Sequence, residues 1–238
     1  MKRYLMVVMA LFPILAHSAT EQVSTSTEQS PKEAIFGNTT ANVSLTSDFI
    51  FRGQTQTNHL PAIQGGLDWT HSSGIFLGAW GSNIRLPDAV STLEIDEYGG
   101  YTYAFNSVLS ASLGLYYYSF FPGSDTNTLE YPLALSWNNL KLGANYSPHW
   151  GGGQAGHAWY LSAGWNTKVW WDTTLGLIAG YSLFGTNTGD LDNYADFHAN
   201  IARQLIGVNW DVSGYLVNHR QVSGIDDPRV VFTASKAF

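Results

Sequence analysis

From about residue 42 onward the chain repeats one device: segments of roughly ten residues in which apolar and polar side chains alternate, joined by connections that are short and long in turn. A period of two places the apolar residues on one face of a β-strand and the polar ones on the other. Strands are expected at about 42–52, 61–70, 74–84, 92–105, 107–118 and 128–137. Six more follow at about 140–148, 157–166, 170–183, 193–205, 207–217 and 228–238. That makes twelve, or ten or fourteen if a segment has been merged or split.

The connections THSSG, FNS, NN, TKV and the Leu205–Gly207 junction are tight, whereas those at about 53–60, 85–91, 120–127, 149–156, 185–192 and 219–227 are longer and polar. Short turns and both chain ends therefore fall at one end of the strands, and long loops at the other. This asymmetry is the pattern of a transmembrane antiparallel β-barrel with short periplasmic turns and longer extracellular loops. Segment length agrees, because a tilted strand needs about 9–11 residues to cross a bilayer. No cysteine is present, so the fold must close by backbone pairing and packing.

The amino terminus points the same way. Lys2-Arg3 precedes an apolar run from Tyr4 to Leu15 and the small-residue exit Ala16-His17-Ser18-Ala19, the form of a secretory signal peptide cleaved after Ser18 or Ala19. Residues 20–40, rich in Ser, Thr, Glu and Gln, read as a flexible periplasmic leader, and 41–238 as a single barrel domain. The expected location is the outer membrane of a Gram-negative cell, with outer-membrane lipid as the surrounding partner. Loss of the signal removes Lys2 and Arg3 and leaves 18 acidic residues against half as many bases, a balance that excludes nucleic acid as a partner.

Aromatic side chains decide which face looks outward. Trp69, Phe105, Trp137, Trp165, Trp170, Trp171 and Trp210 lie beside short turns, and Tyr117, Phe120, Phe121, Tyr146, Trp150, Trp159, Phe184 and Tyr194 near long loops. Two bands at the strand ends describe interfacial girdles, so the apolar face meets lipid and the polar face lines a wet lumen. A soluble sandwich would gather its large aromatics mid-strand instead. By this parity the lumen is lined by Asp48, Arg52, Gln64, Asp68, Glu94, Asp96, Glu130, Lys141, Asp172, Asp196, His198 and Asp211. Glu97 falls on the lipid parity, which requires it to lie near the outer rim. In the last strand Val230, Phe232, Ala234 and Phe238 share a face, resembling the terminal signal read by the barrel-assembly machinery, with Lys236 interrupting it.

The stretch SDFIFRGQTQTNHLPAIQGGLDW, continuing through HSSGIFLGAWGSNI, and the terminal DPRVVFTASKAF resemble the TorF-family porins, the proteobacterial Gcw_chp group of outer-membrane β-barrels. The resemblance implies an outer-membrane barrel and strengthens location more than substrate. The first stretch is then expected to be a hairpin in which Arg52-Gly53 marks the outer rim and Pro61 opens the second strand.

GGGQAG, 151–156, formally matches a dinucleotide fingerprint, yet it leads into a strand with no helix to meet a pyrophosphate and reads as an outer loop. Asp196 and His198 share one face of one strand, about 7 Å apart, but no nucleophile or second carboxylate is specified beside them. His149 and His157 match no standard metal-site spacing. No catalytic, cofactor-binding or metal-binding residues are therefore expected. The function expected is passive diffusion of small hydrophilic solutes or ions, with a cation preference from the acidic lumen. The alternatives are a closed structural or adhesive barrel acting through its loops and, behind it, an outer-membrane hydrolase.

Overall fold

The computed structural model describes residues 37–86, 90–123, 126–151, 156–185, 192–218 and 224–238. The expected signal peptide, most of the leader, most of the GGGQAG stretch and His219 lie outside them. Among the described residues fourteen strands are formed, in chain order β1 Asn38–Thr46, β2 Ile50–Phe51, β3 Gln54–Thr55, β4 Ala62–Thr70, β5 Ile75–Asn83, β6 Leu93–Ala104 and β7 Leu109–Phe121. They continue as β8 Thr128–Trp137, β9 Leu140–Ser147, β10 Ala158–Lys168, β11 Thr174–Phe184, β12 Tyr194–Leu205, β13 Val208–Val217 and β14 Arg229–Ala237. β2 and β3 pair only with each other, and the other twelve make a closed antiparallel barrel in which each strand pairs with its neighbours in sequence.

β1 closes on β14 from Asn42 opposite Ala237 to Thr46 opposite Thr233. Beyond that ladder, Ala41 and Phe238 exchange backbone hydrogen bonds of 3.2 and 2.8 Å. The expected strands are present with small shifts at most ends. The first is the exception. It was expected at about 42–52 but begins at Asn38, inside the expected leader, and ends at Thr46, where the Thr46 hydroxyl donates to the Asp48 carbonyl at 2.8 Å and the chain leaves the wall.

The alternating pattern sorts the faces. Leu45, Ile63, Leu67, Leu77, Leu113, Leu133 and Leu161 are exposed on the outside, while Asp68, Glu94, Asp96, Glu130 and Asp196 are buried on the inside. Exposed Phe105, Trp137, Trp165, Trp170, Trp171 and Trp210 gather at the short-turn end, and Tyr117, Phe121, Tyr131, Trp159 and Tyr181 toward the loop end. Four expected girdle residues are not there: Phe120, Trp150 and Tyr194 are buried, and Phe184, on the parity of buried Ser182, packs inward against Trp150 and Tyr194. Phe120 and Tyr194 share parity with inward-facing Tyr118 and Asp196, and Trp150 lies in a loop. Glu97 faces outward between Ala79 and Tyr117, level with the outer aromatic band.

A barrel with this outer face behaves differently in lipid and in water. Leu133, 57% exposed near the middle of β8, should when changed to Arg lose about 2–4 kcal/mol of unfolding free energy in lipid vesicles. On a water-facing surface the same change would stay within about 0.5 kcal/mol. Denaturant titration of the vesicle-folded protein measures it, and a near-neutral result would count against a lipid-facing wall.

Candidate functional site

The lumen is occupied by the first loop, residues 47–61, which folds inward from the end of β1. Its centre is the β2–β3 hairpin, Phe51 opposite Gln54, turned by Arg52 at φ 45° and Gly53 at φ 80°. Two left-handed residues in succession give the tight turn whose twist suits a two-residue hairpin loop. Gly53 is needed for space as well: a Cβ there would lie 2.5 Å from Val217 Cγ2 and 3.1 Å from Asp196 Cβ. The hairpin tip is thus pressed against the β12–β13 wall.

Asp48 organises the loop from within. Its carboxylate accepts the hydroxyls of Thr55 and Thr57 and an Nη1 hydrogen bond from Arg229 at 3.0 Å. Arg229 in turn donates to the carbonyls of Asp227 and Ile225, both at 2.8 Å. Backbone bonds complete the anchoring: Thr55 N–H to Ile225 O at 2.9 Å, and Arg85 N–H to Gln56 O at 2.8 Å. Phe49 and Phe51 pack in a buried cluster with Trp80, Ile84, Leu86, Tyr98, Tyr116, Tyr118, Phe120 and Trp150. Continued from Val43 and Leu45, the period-two pattern would put both phenylalanines on the lipid face. They lie instead inside the lumen, because the strand carrying that parity stops at Thr46.

Arg52 reaches across the lumen to β8. Its Nη2 donates to Oε1 and Oε2 of Glu130 at 2.8 and 3.0 Å, and both side chains are 1% exposed. Glu130 is held by the Tyr118 hydroxyl at 3.2 Å and Asn145 Nδ2 at 3.0 Å. The guanidinium carbon sits 4.1 Å from the ring centre of Tyr160, 4.6 Å from Phe51 and 5.1 Å from Trp150. Asp48 and Arg52 are therefore lumenal, but on the inserted loop and not on the first strand's wall, which corrects the expectation of a rim position at Arg52-Gly53.

The other expected lining residues divide by burial. Asp68, Glu94, Asp96 and Asp196 are buried in the wall. Asp68 accepts the Tyr98 hydroxyl and Asp196 that of Tyr160. Gln64, Lys141, His198 and Asp211 are half-buried. Asp211 accepts from Asn200 and Ser213, and His198 stacks on Tyr215 with ring centres 4.4 Å apart. Asp196 is thus engaged by Tyr160 and not by His198, so the pair does not form the acid–base arrangement considered from sequence. Asp172 is a correction: it is exposed in a 3-10 turn at the short-turn end, Trp170–Asp172, outside the barrel wall.

In the loop-side half every wall strand contributes an inward residue closed to solvent: Thr46, Ala62, Ser82, Asp96, Tyr118, Glu130, Asn145, Tyr160, Ser182, Asp196, Ser213 and Val231. The cross-section is dry at that level. Sequence reasoning missed Trp80, Tyr160 and Asn145 as lumen residues. Parity offered a signal for all three, since Trp80 aligns with Ser82, Asn145 with Lys141, and Tyr160 with Ser162.

Solved structures share this architecture. A KdgM porin matches with a TM-score of 0.58 at 14% identity, over 84% of this chain and 98% of its own. A KdgM porin in complex with disordered oligogalacturonate gives 0.56 at 14%, over 84% and 99%. A NanC porin gives 0.59 at 9%, over 83% and 98%. At such identities the likeness is one of fold. No curated protein matches the chain. A family model, Gcw_chp, described as a bacterial protein of unknown function, matches residues 28–238, and the chain belongs to that family.

Proposed function

We propose that the protein is an outer-membrane channel for passive diffusion of small hydrophilic solutes or ions, favouring cations, and that the first loop holds it closed. The observation that carries this reading is the charge of the inward face. The inward face, first loop included, carries Asp48, Asp68, Glu94, Asp96, Glu130, Asp196 and Asp211, which outnumber the bases Arg52, Lys141 and Arg229 set among them in the described residues. Carboxylates around a narrow passage raise the local cation concentration and repel anions. The polyanion oligogalacturonate bound in the KdgM complex is unsuited to such a lining, so solute does not carry over with fold. The porin role attached to the TorF name belongs to this reading, as do export by the signal peptide and delivery to the assembly machinery through outward-facing Phe232 and terminal Phe238.

The dry cross-section favours a second reading, a closed barrel acting through its outer loops. Planar-bilayer recording in a potassium chloride gradient separates the two. The channel reading expects stepwise openings with a reversal potential on the cation side. It also expects a much higher open probability in Glu130→Ala, which strands Arg52 in a dry site. A buried charge that loses its partner destabilises by about 3–5 kcal/mol, enough to raise the population with the loop displaced by roughly two powers of ten or more. Silence from both proteins, with heat-modifiable mobility showing inserted barrels, would favour the closed barrel.

The same variant gives a structural readout. Arg52 is the loop's one trypsin site between Ser47 and Pro61 and is shielded in the folded protein. Limited trypsinolysis should spare the Arg52–Gly53 bond in the parent and cut it in Glu130→Ala. Equal resistance would show that the ion pair does not hold the loop in place.

A further inference from the structure

Arg52 is held as a ligand is held. The groups around its guanidinium, apart from Phe51, come from the far wall: Glu130 on β8, Tyr160 on β10 and Trp150 from the loop after β9. Tyr118 and Asn145 fix the carboxylate that receives it. A carboxylate with both oxygens set, flanked by two aromatic rings, suits a flat cation with several N–H donors better than a compact ammonium.

We propose that this cage is a binding site for small solutes bearing a guanidinium group, with Arg52 occupying it as the loop's built-in stand-in for such a solute. Binding and opening are then one competition: a solute that takes the Glu130 cage displaces Arg52 and frees the loop. The proposal rests on the channel reading only for how the solute arrives.

Two further observations support it. Arg52 enters the cage from a left-handed backbone position, φ 45°, which is unfavourable for a residue with a Cβ. A free solute carries no such handicap. Close by, Asp196 is 5% exposed; Tyr160 donates to its Oδ1, and its Oδ2 has no hydrogen-bond partner. A buried carboxylate oxygen left without a donor lacks part of its normal complement. Sharing Tyr160 with the cage, it offers an anchor for a second cationic group, so the best ligands would carry a guanidinium at one end and an amine at the other.

The test uses methylguanidinium chloride, with N-methylurea as its neutral counterpart of like shape, on the folded barrel in detergent at low millimolar concentrations. In Arg52→Ala, whose cage is vacated, calorimetry should show saturable methylguanidinium binding at least about tenfold tighter than in the parent, because the internal competitor is gone. N-methylurea should not bind, and adding Glu130→Gln should abolish binding. In the parent, methylguanidinium should speed hydrogen exchange of the Phe49 and Gln56 amides, which are bonded within the docked loop, and of the Thr55 amide, which ties it to Ile225.

Absence of saturable binding to Arg52→Ala, equal binding of N-methylurea, or binding that survives Glu130→Gln overturns the proposal. If Arg52→Ala does not fold, the parent's exchange decides alone, and unchanged exchange overturns it. A barrel that binds methylguanidinium yet is silent in a bilayer keeps the site and removes the channel. A conducting barrel that does not bind does the reverse.

Discussion

The ladder between β1 and β14 is the contact on which the rest depends. Until Asn42–Thr46 pairs with Thr233–Ala237, the sheet has two open edges, and each unpaired peptide group held away from water costs several kcal/mol. Closing the ladder also fixes the interior. A twelve-strand wall encloses more space than its own side chains readily fill, lying between the packed eight-stranded barrels and the open porins. That surplus is what the first loop occupies.

Inside, the loop is held by contacts of two kinds. Phe49 stacks edge-on against Trp80 with ring centres 5.4 Å apart, and the loop's backbone bonds to Ile225 and Arg85 tie it to neighbouring loops; these are ordinary packing and hydrogen-bond gains. The Arg52–Glu130 pair is of another kind. Its attraction is largely offset by the desolvation of two charges, so it contributes little compared with an apolar contact of the same volume, while loss of either partner is severe. The apolar contacts therefore supply most of the docking energy, and the ion pair determines where the hairpin tip must sit.

Most of the wall was legible from the sequence because period-two alternation and loop length are local signals. The ends of β8, at Thr128 and Trp137, fell where the pattern placed them. The loop was not legible, because the alternation of Val43 and Leu45 resumes at Phe49 and Phe51 after a single polar step at Ser47, past the real end of the strand at Thr46. The missed signal was local: Ile50-Phe51 and Gln54-Thr55 flank Arg52-Gly53 as a two-residue hairpin. Phe120 and Tyr194 were misassigned for a different reason. An aromatic near a strand end suits either a girdle or a plug, and only its parity with Tyr118 or Asp196 separates the two. Asp172 shows the limit of parity, which means nothing once Trp171 and Asp172 turn into left-handed backbone, φ 56° and 54°.

Height along the barrel also determines which carboxylates can matter for charge selection. Asp211 is half-buried and hydrogen-bonded by Asn200 and Ser213, and charges in contact with salt solution are screened over about 8–10 Å. Glu94 and Asp96 stand next but one on β6 with no exposure at all, where a charge loses its hydration and two neighbouring carboxylates repel each other. A sign preference set by the wall therefore comes, at short range, from carboxylates that water reaches, and the level the first loop crosses joins them only when the loop is freed and that level is hydrated. In such a lumen opening and selectivity rise together, and the preference for cations belongs to the open passage.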